Sequence, residues 1–213
     1  MKTLGLVVCL ALSLVFSGCA AGPDNSGAKT TAETQSPEPE PTPQGRPFAV
    51  IKTDSGDITV ELLPDAAPET VKSFVELAQL GFYDRTSFHR IMADRMIQGG
   101  DPLSRDNDPF NDGQGTSGSY LPQEFSDLPM DRGTVAMGHE DGADNGGSCQ
   151  FFIVLKRTPD WDGKYNVFGE VVEGIDVADA ISRSPLTKQK HPALKYRPAG
   201  RQIIETINIE YRQ

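Results

Sequence analysis

"FHRIMADRMIQGGDP", residues 88–102, is the stretch on which the reading of this chain turns. Its apolar residues alternate as in a hairpin. Residue parity places Arg90 with Met92 and Met96 with Gln98, with "ADR" as the turn that brings the two strands together. The same parity sets Phe88 beside Arg90. Alternation alone therefore leaves two readings open: a pair of ordinary strands with a polar outer face, or the floor of a site.

Working outward, "FAVIKTDSGDITVELL" (48–63) reads as two alternating strands around a turn at Asp54–Asp57. "PDAAPETVKSFVELAQLGFY" (64–83) reads as a helix. Pro68 suits its first turn, Val71, Phe74, Val75 and Ala78 recur at helical spacing, and Gly81 stands where a C-terminal stop belongs. "SRDNDPFNDGQGTSGSYLPQEF" (104–125) is a long turn-rich loop, followed by a short strand, "GTVAMG" (133–138), and a second glycine-rich loop. "CQFFIVLK" (149–156) and "YNVFGEVV" (165–172) are strands, "GIDVADAISRS" (174–184) a second short helix, and "RQIIETINIEYR" (201–212) a closing strand. Many short strands, two helices and no βαβ rhythm predict an all-β sandwich or barrel.

The 213-residue chain holds more than this domain. A short basic start and an apolar run, Leu4–Phe16, fit a secretory signal, because a membrane-spanning helix needs about 20 residues. Its ending, "VFSGC" (15–19), resembles the bacterial lipobox, in which small residues precede a cysteine that is lipidated after cleavage. The competing reading is an ordinary signal cut near Gly22. We thus expect a lipoprotein signal peptide over 1–18 and lipidation of Cys19. A disordered Pro/Glu/Thr-rich tether is expected over 19–46, with the folded domain over 47–213. The "PEPEPTP" run (37–43) is locally extended and holds the domain away from the membrane. With Cys9 in the signal and Cys19 lipidated, Cys149 is left alone, so the domain is expected to stand without a disulfide. A net charge of −10 argues against nucleic acid as a partner.

Three kinds of site compete. His89, His139 and His191 are the only histidines and show no close-spaced ligand pair, so no metal is expected. Ser148 or Cys149 with His139 is a conceivable hydrolytic pair, but no G-x-S-x-G elbow surrounds them. A peptide site fits better. "FHR", "QGGDP", "QFF" and "DGKYNVFGEV" place one guanidinium, two glutamines and several aromatics on successive short strands, the composition of a binding hollow.

These residues also carry a resemblance. "SGDITVELLPDAAPETVKSFVELAQLGFYDRTSFHRI", "MIQGGDP", "QFFIVL" and "DGKYNVFGEVV", in this order between Phe48 and Arg212, resemble the cyclophilin-type peptidyl-prolyl cis-trans isomerases. The resemblance implies a mainly β fold, a closed eight-stranded antiparallel barrel capped by two α-helices, with a packed interior and the substrate on the outside. Phe74 and Ile153 are then core rather than contacts, and Phe151, alternating with Phe152, faces inward. Arg90 of "FHR" is the implied catalytic donor, and Gln98 of "MIQGG" binds substrate backbone and orients Arg90. Met96, Phe152, Trp161 and Tyr165 wall a proline pocket, Gln150 lies beside the groove, and the backbone at Gly138 and His139 pairs with the substrate chain. No cofactor is implied. The implied partners are Pro-containing segments of exported or envelope proteins. The protein is expected to be a monomer, lipid-anchored in a bacterial cell envelope, with its domain on the periplasmic or extracellular side. The rival is a non-catalytic scaffold or chaperone module that grips proline segments.

Three departures from the family pattern bear on the site. Arg95 stands where "FMIQGG" has phenylalanine, the loop in "MGHEDGADNGGSCQFF" (137–152) is longer and more acidic, and "WLDGKH" reads "DWDGKY", which puts Trp161 at a leucine position and Tyr165 at a histidine position. They predict a shallower proline pocket, a more polar neighbouring pocket, and slower or redirected isomerase activity.

Overall fold

The computed structural model describes residues 45–139 and 142–213. The expected signal peptide (1–18), the Cys19 lipid site, and the tether (19–46) up to residue 44 lie outside them.

Eight antiparallel strands form one sheet: β1 (Arg46–Thr53), β2 (Gly56–Leu62), β3 (Arg90–Met92), β4 (Met96–Gly99), β5 (Thr134–Met137), β6 (Phe151–Val154), β7 (Val167–Glu173) and β8 (Ile204–Arg212), in the order β3-β4-β6-β5-β7-β2-β1-β8. Two α-helices, α1 (Pro68–Gln79) and α2 (Ile175–Ser182), pack against it. Pro68 opens α1 as expected, and Gly81 follows its end with φ +68. Ala67 cannot cap the helix. Glu124 does so from the long loop, accepting from Glu69 N and Thr70 N at 2.9 Å each and from Thr70 Oγ1 at 2.6 Å. A carboxylate there also meets the positive end of the helix dipole.

The expected closed barrel is not found; the sheet is a curled half-barrel. Its end strands, β3 and β8, form no ladder with each other, and an isolated bridge, Ser87↔Ile203, joins the two edges. The cause lies just before β3. Ser87, Phe88 and His89 are all buried, but only Ser87 is bridged to the opposite edge, and the regular ladder of β3 covers just three residues, Arg90–Met92. The amide of Ile91, on the free edge of β3, donates to the Tyr196 carbonyl at 2.8 Å instead of to β8. Parity fails at the same place. Phe88 turns into the main core against Phe151, whereas Arg90 is exposed on the other face.

From Arg90 onward the hairpin follows the expected register, Arg90↔Gln98, Ile91↔Ile97 and Met92↔Met96. Alternation in β6 then divides the apolar residues between two faces. Phe151 and Ile153 enter the main core, around Phe74, Tyr83 and Phe168. Phe152 and Val154 join a second cluster on the opposite face with Met96, Met130, Ala136 and Val167. All four β6 residues are buried, though a sheet face turned to water carries polar residues at alternate positions. The second face is covered by the segment around Trp161 and Tyr165.

Candidate functional site

The second apolar cluster rises to the surface in a hollow of about 80 Å³. It is lined by Arg90, Met96, Gln98, Gly138, His139, Phe152, Trp161 and Tyr165. Eight residues expected at the site thus come from β3, β4, β5 with its exit, β6 and the 158–165 segment to one place. Phe152 forms the floor, meeting the Trp161 ring edge-on at 5.5 Å and the Tyr165 ring at 5.0 Å. Neighbouring anchors hold these walls. Asp162 accepts from Met130 N at 2.9 Å and pairs with Arg157, whose pull keeps its carboxyl below the usual range. Asn166, fully buried beside Tyr165, donates to Thr70 Oγ1 and to the Pro122 carbonyl at 2.9 Å each. His139 lies against Tyr165 with ring centroids 4.6 Å apart, and its Nε2 is 2.7 Å from the Lys164 carbonyl.

The polar lip is a relay with a fixed direction. Gln150 Nε2 donates to the carbonyls of Gly113 and Gly115, 2.9 Å each. Its Oε1 therefore faces Gln98 and accepts from Gln98 Nε2 at 3.0 Å. That leaves Gln98 Oε1 toward Arg90, accepting from Nη1 at 3.1 Å. Two backbone carbonyls thus settle the orientation of two side-chain amides, which electron density alone rarely does. The relay explains the exit of the opening stretch. Buried Asp101 of "QGGDP" accepts from Gly113 N and, at 2.8 Å, from Leu103 N, and so holds the loop that supplies the carbonyls. Gly115 must lack a side chain, because a Cβ there would run into that carboxylate.

Gln150 itself lies in an adjoining hollow of about 190 Å³ with Gly113, Thr116, Tyr120 and Ser148, beside the groove as expected. Arg95 does not line the proline-sized hollow. Its guanidinium lies 4.8 Å from the centroid of the Trp161 ring, a cation–π contact on the indole. The sequence reading missed Tyr196, whose ring is 5.7 Å from the Arg90 guanidinium, and a third hollow of about 310 Å³ beyond Arg90 that holds His89, Asp112 and Arg197. No periodicity marks the 185–200 segment.

The hydrolytic pair finds no support. Burial pushes the Cys149 thiol up to about 12, and the Ser148 hydroxyl donates to the Ser119 carbonyl at 2.7 Å. Burial also lowers His89 to about 4, against the opposing pull of Asp101, so its ring is neutral at physiological pH. Among the described residues no group of His, Cys, Asp and Glu is placed to hold a metal ion.

What the arrangement can do is seat one small apolar ring with a guanidinium beside it. The profile of the cyclophilin type peptidyl-prolyl cis-trans isomerase/CLD family matches residues 48–207. "Peptidyl-prolyl cis-trans isomerase-like 2" of Gibberella zeae is 40% identical over 151 residues, covering 70% of this chain and 25% of that protein. The chain thus spans about a quarter of the length of the first curated relatives it matches. "Peptidyl-prolyl cis-trans isomerase-like 1" of Neurospora crassa is 34% identical over 163 residues, covering 75% of this chain and 96% of that one. A crystal structure of a cyclophilin type peptidyl-prolyl cis-trans isomerase of Cryptosporidium parvum, determined in the presence of the dipeptide Ala-Pro, superposes with a TM-score of 0.68. Its identity is 29%, and the match covers 78% of this chain and 99% of that one.

Proposed function

Since the chain belongs to the cyclophilin-type peptidyl-prolyl cis-trans isomerase family, we propose that it accelerates rotation about X-Pro bonds, with Arg90 as the donor to the prolyl nitrogen. The observation that carries this reading is the juxtaposition of the Arg90 guanidinium with the apolar hollow of Met96, Phe152, Trp161 and Tyr165. Rotation about the amide is opposed by about 18–20 kcal/mol because the C–N bond has double-bond character. In the twisted transition state the nitrogen loses conjugation and its lone pair accepts a hydrogen bond. A fixed donor there interacts with the transition state more than with the planar ground state, which is the condition for acceleration. Arginine suits this task, being always charged and rich in donors. The relay from Gln150 through Gln98 holds it, and the hollow fixes the proline ring while the rest of the chain turns. No proton transfer or covalent step enters.

The experiment is cis-to-trans relaxation of X-Pro peptides by the wild-type protein and by Arg90→Ala. The variant is expected to lose about 10²-fold in kcat/KM, the scale for removing one preorganised donor. Absence of acceleration by the wild type across a broad set of X residues would leave a proline-binding scaffold or chaperone module. The displacement of Trp161 and the Arg95 contact favour that second reading.

We further propose that the domain acts on exported proteins from a lipid anchor at Cys19 in a bacterial cell envelope. This part is supported by the sequence of residues 1–46; the two curated relatives named above are fungal and add nothing to it. Slow prolyl isomerisation limits folding, so a catalyst tethered where chains emerge acts where it is needed. Cys19→Ser is expected to move the protein from the membrane fraction to the soluble fraction; tight membrane association of the variant would refute the anchor.

A further inference from the structure

Three cations stand on one flank of the proline-sized hollow. Arg95 stacks on Trp161, and Arg90 and Lys195 both lie over the Tyr196 ring, at 5.7 and 4.8 Å from its centroid. The four groups form one electrostatic neighbourhood: the Tyr196 hydroxyl is held below its usual pKa by Lys195 first, and by Arg90 and Arg95 with it. This positive flank belongs to a chain with a net charge of −10.

Among the described residues, three nearby carboxylates are engaged elsewhere. Asp94, next to Arg95, pairs with Arg183 at 2.7 Å; Asp162, next to Trp161, pairs with Arg157; Asp112, beyond Arg90, pairs with Arg197 at 2.7 Å. Asp160 is exposed, and the Lys164 ammonium donates to its backbone carbonyl at 2.7 Å. Among the described residues, Arg90, Arg95 and Lys195 form no salt bridge, though nine others are made. Arg90 and Lys195, over one ring with no carboxylate paired to either, repel one another, and a bound anion relieves that repulsion.

We infer that this flank selects substrates, and that the site takes X-Pro segments with a carboxylate on a residue next to the proline. The inference rests on the reading of the hollow as a proline site. Trp161 supplies the apolar wall, and the Arg95 guanidinium lies 4.8 Å from the centroid of its ring. Arg90 lines the same hollow and shares the Tyr196 ring with Lys195. A guanidinium has five donors in a planar fork that matches a carboxylate.

The test uses the full chain and two pairs of N-acetylated, C-amidated peptides, Ala-Glu-Pro-Ala against Ala-Gln-Pro-Ala and Ala-Ala-Pro-Glu against Ala-Ala-Pro-Gln, so that the side chain is the one carboxylate in each acidic peptide and the amide controls have none. Trp161 is the chain's one tryptophan, so its fluorescence reports binding independently of turnover. In at least one pair the acidic peptide is expected to bind about three- to tenfold more tightly than its amide at low salt, the scale for two partly exposed ion pairs. The ratio should fall toward one near ~1 M salt, where screening is strong. Arg95→Gln with Lys195→Gln should bring the ratio to about one, and Arg95→Lys should restore part of it. Equal affinities within both pairs, or a preference that survives in the double variant, overturn the inference even if isomerisation is fast. A preference in binding with no acceleration by the wild type refutes catalysis and leaves the recognition class standing.

Discussion

Gln98→Glu tests the direction of the relay with a change of one heavy atom. In the wild type, Gln98 gives its carbonyl to Arg90 and its amide to Gln150 Oε1, and Gln150 cannot turn round because its own amide serves the Gly113 and Gly115 carbonyls. A carboxylate at 98 keeps an acceptor for Arg90 but sets an anionic oxygen about where the 3.0 Å contact with Gln150 Oε1 now lies. Turning Gln150 over would instead aim its oxygen at two carbonyls and break two hydrogen bonds. Either outcome costs about 0.5–1.5 kcal/mol, the net scale for a hydrogen bond between partly exposed groups. The new ion pair also competes with the prolyl nitrogen for Arg90. At about 1.4 kcal/mol per tenfold, kcat/KM at neutral pH should fall roughly 3- to 10-fold. Acid should reverse the defect. A protonated carboxyl donates through its O–H to Gln150 and accepts through its C=O from Arg90, as glutamine does. The neighbouring guanidinium favours the charged form, so recovery relative to wild type should come at or below the ordinary glutamate pKa of about 4.3. Exchange spectroscopy of an X-Pro peptide by NMR, from pH 7 to about pH 3 with circular dichroism on the same samples, measures this without a coupling protease. A variant within twofold of wild type at neutral pH, or a folded variant whose relative rate stays flat in acid, refutes the relay.

Three further outcomes follow from the interior. Phe74 lies 5.0–5.5 Å, centroid to centroid, from the rings of Tyr83, Phe151 and Phe168, so Phe74→Ala should cost about 3–5 kcal/mol in urea unfolding; a loss below 1 kcal/mol would contradict the packing. Burial lowers His89 from 6.5 to about 4, so the stability tied to its neutral form is complete above pH 6.5 and disappears as pH falls through about 4. At about 1.4 kcal/mol per pKa unit this is a few kcal/mol, and His89→Gln should flatten the stability–pH slope over that window; an unchanged slope removes His89 from the acid response. Burial lifts the Cys149 thiol to about 12, so peptide mapping after thiol labelling at pH 8 should find Cys149 unmodified in the folded protein and modified in urea; equal labelling in both would refute that burial.

What could be read in the sequence was whatever depends on neighbours along the chain. The period of two in "QFFIVL" separates Phe151 from Phe152, and those two residues do lie in different clusters. Helical spacing and the Pro68 and Gly81 punctuation gave α1. The same rule failed at Phe88, which lies outside the regular ladder of β3 and turns into the main core, and the closed barrel was not found. The direction of the relay was out of reach, since it depends on where Asp101 pins Gly113, twelve residues away, and on two carbonyls that carry no mark in a sequence. Arg95 shows the limit most clearly. As a lone departure from a family pattern it reads as a charge spoiling an apolar wall, and Trp161 as an indole out of place. In the fold the two positions meet: the Arg95 guanidinium lies 4.8 Å from the centroid of the Trp161 ring, and Trp161 packs against the second apolar cluster. That contact joins positions far apart in the chain, so no local pattern could show that the surroundings of one departure are set by the other.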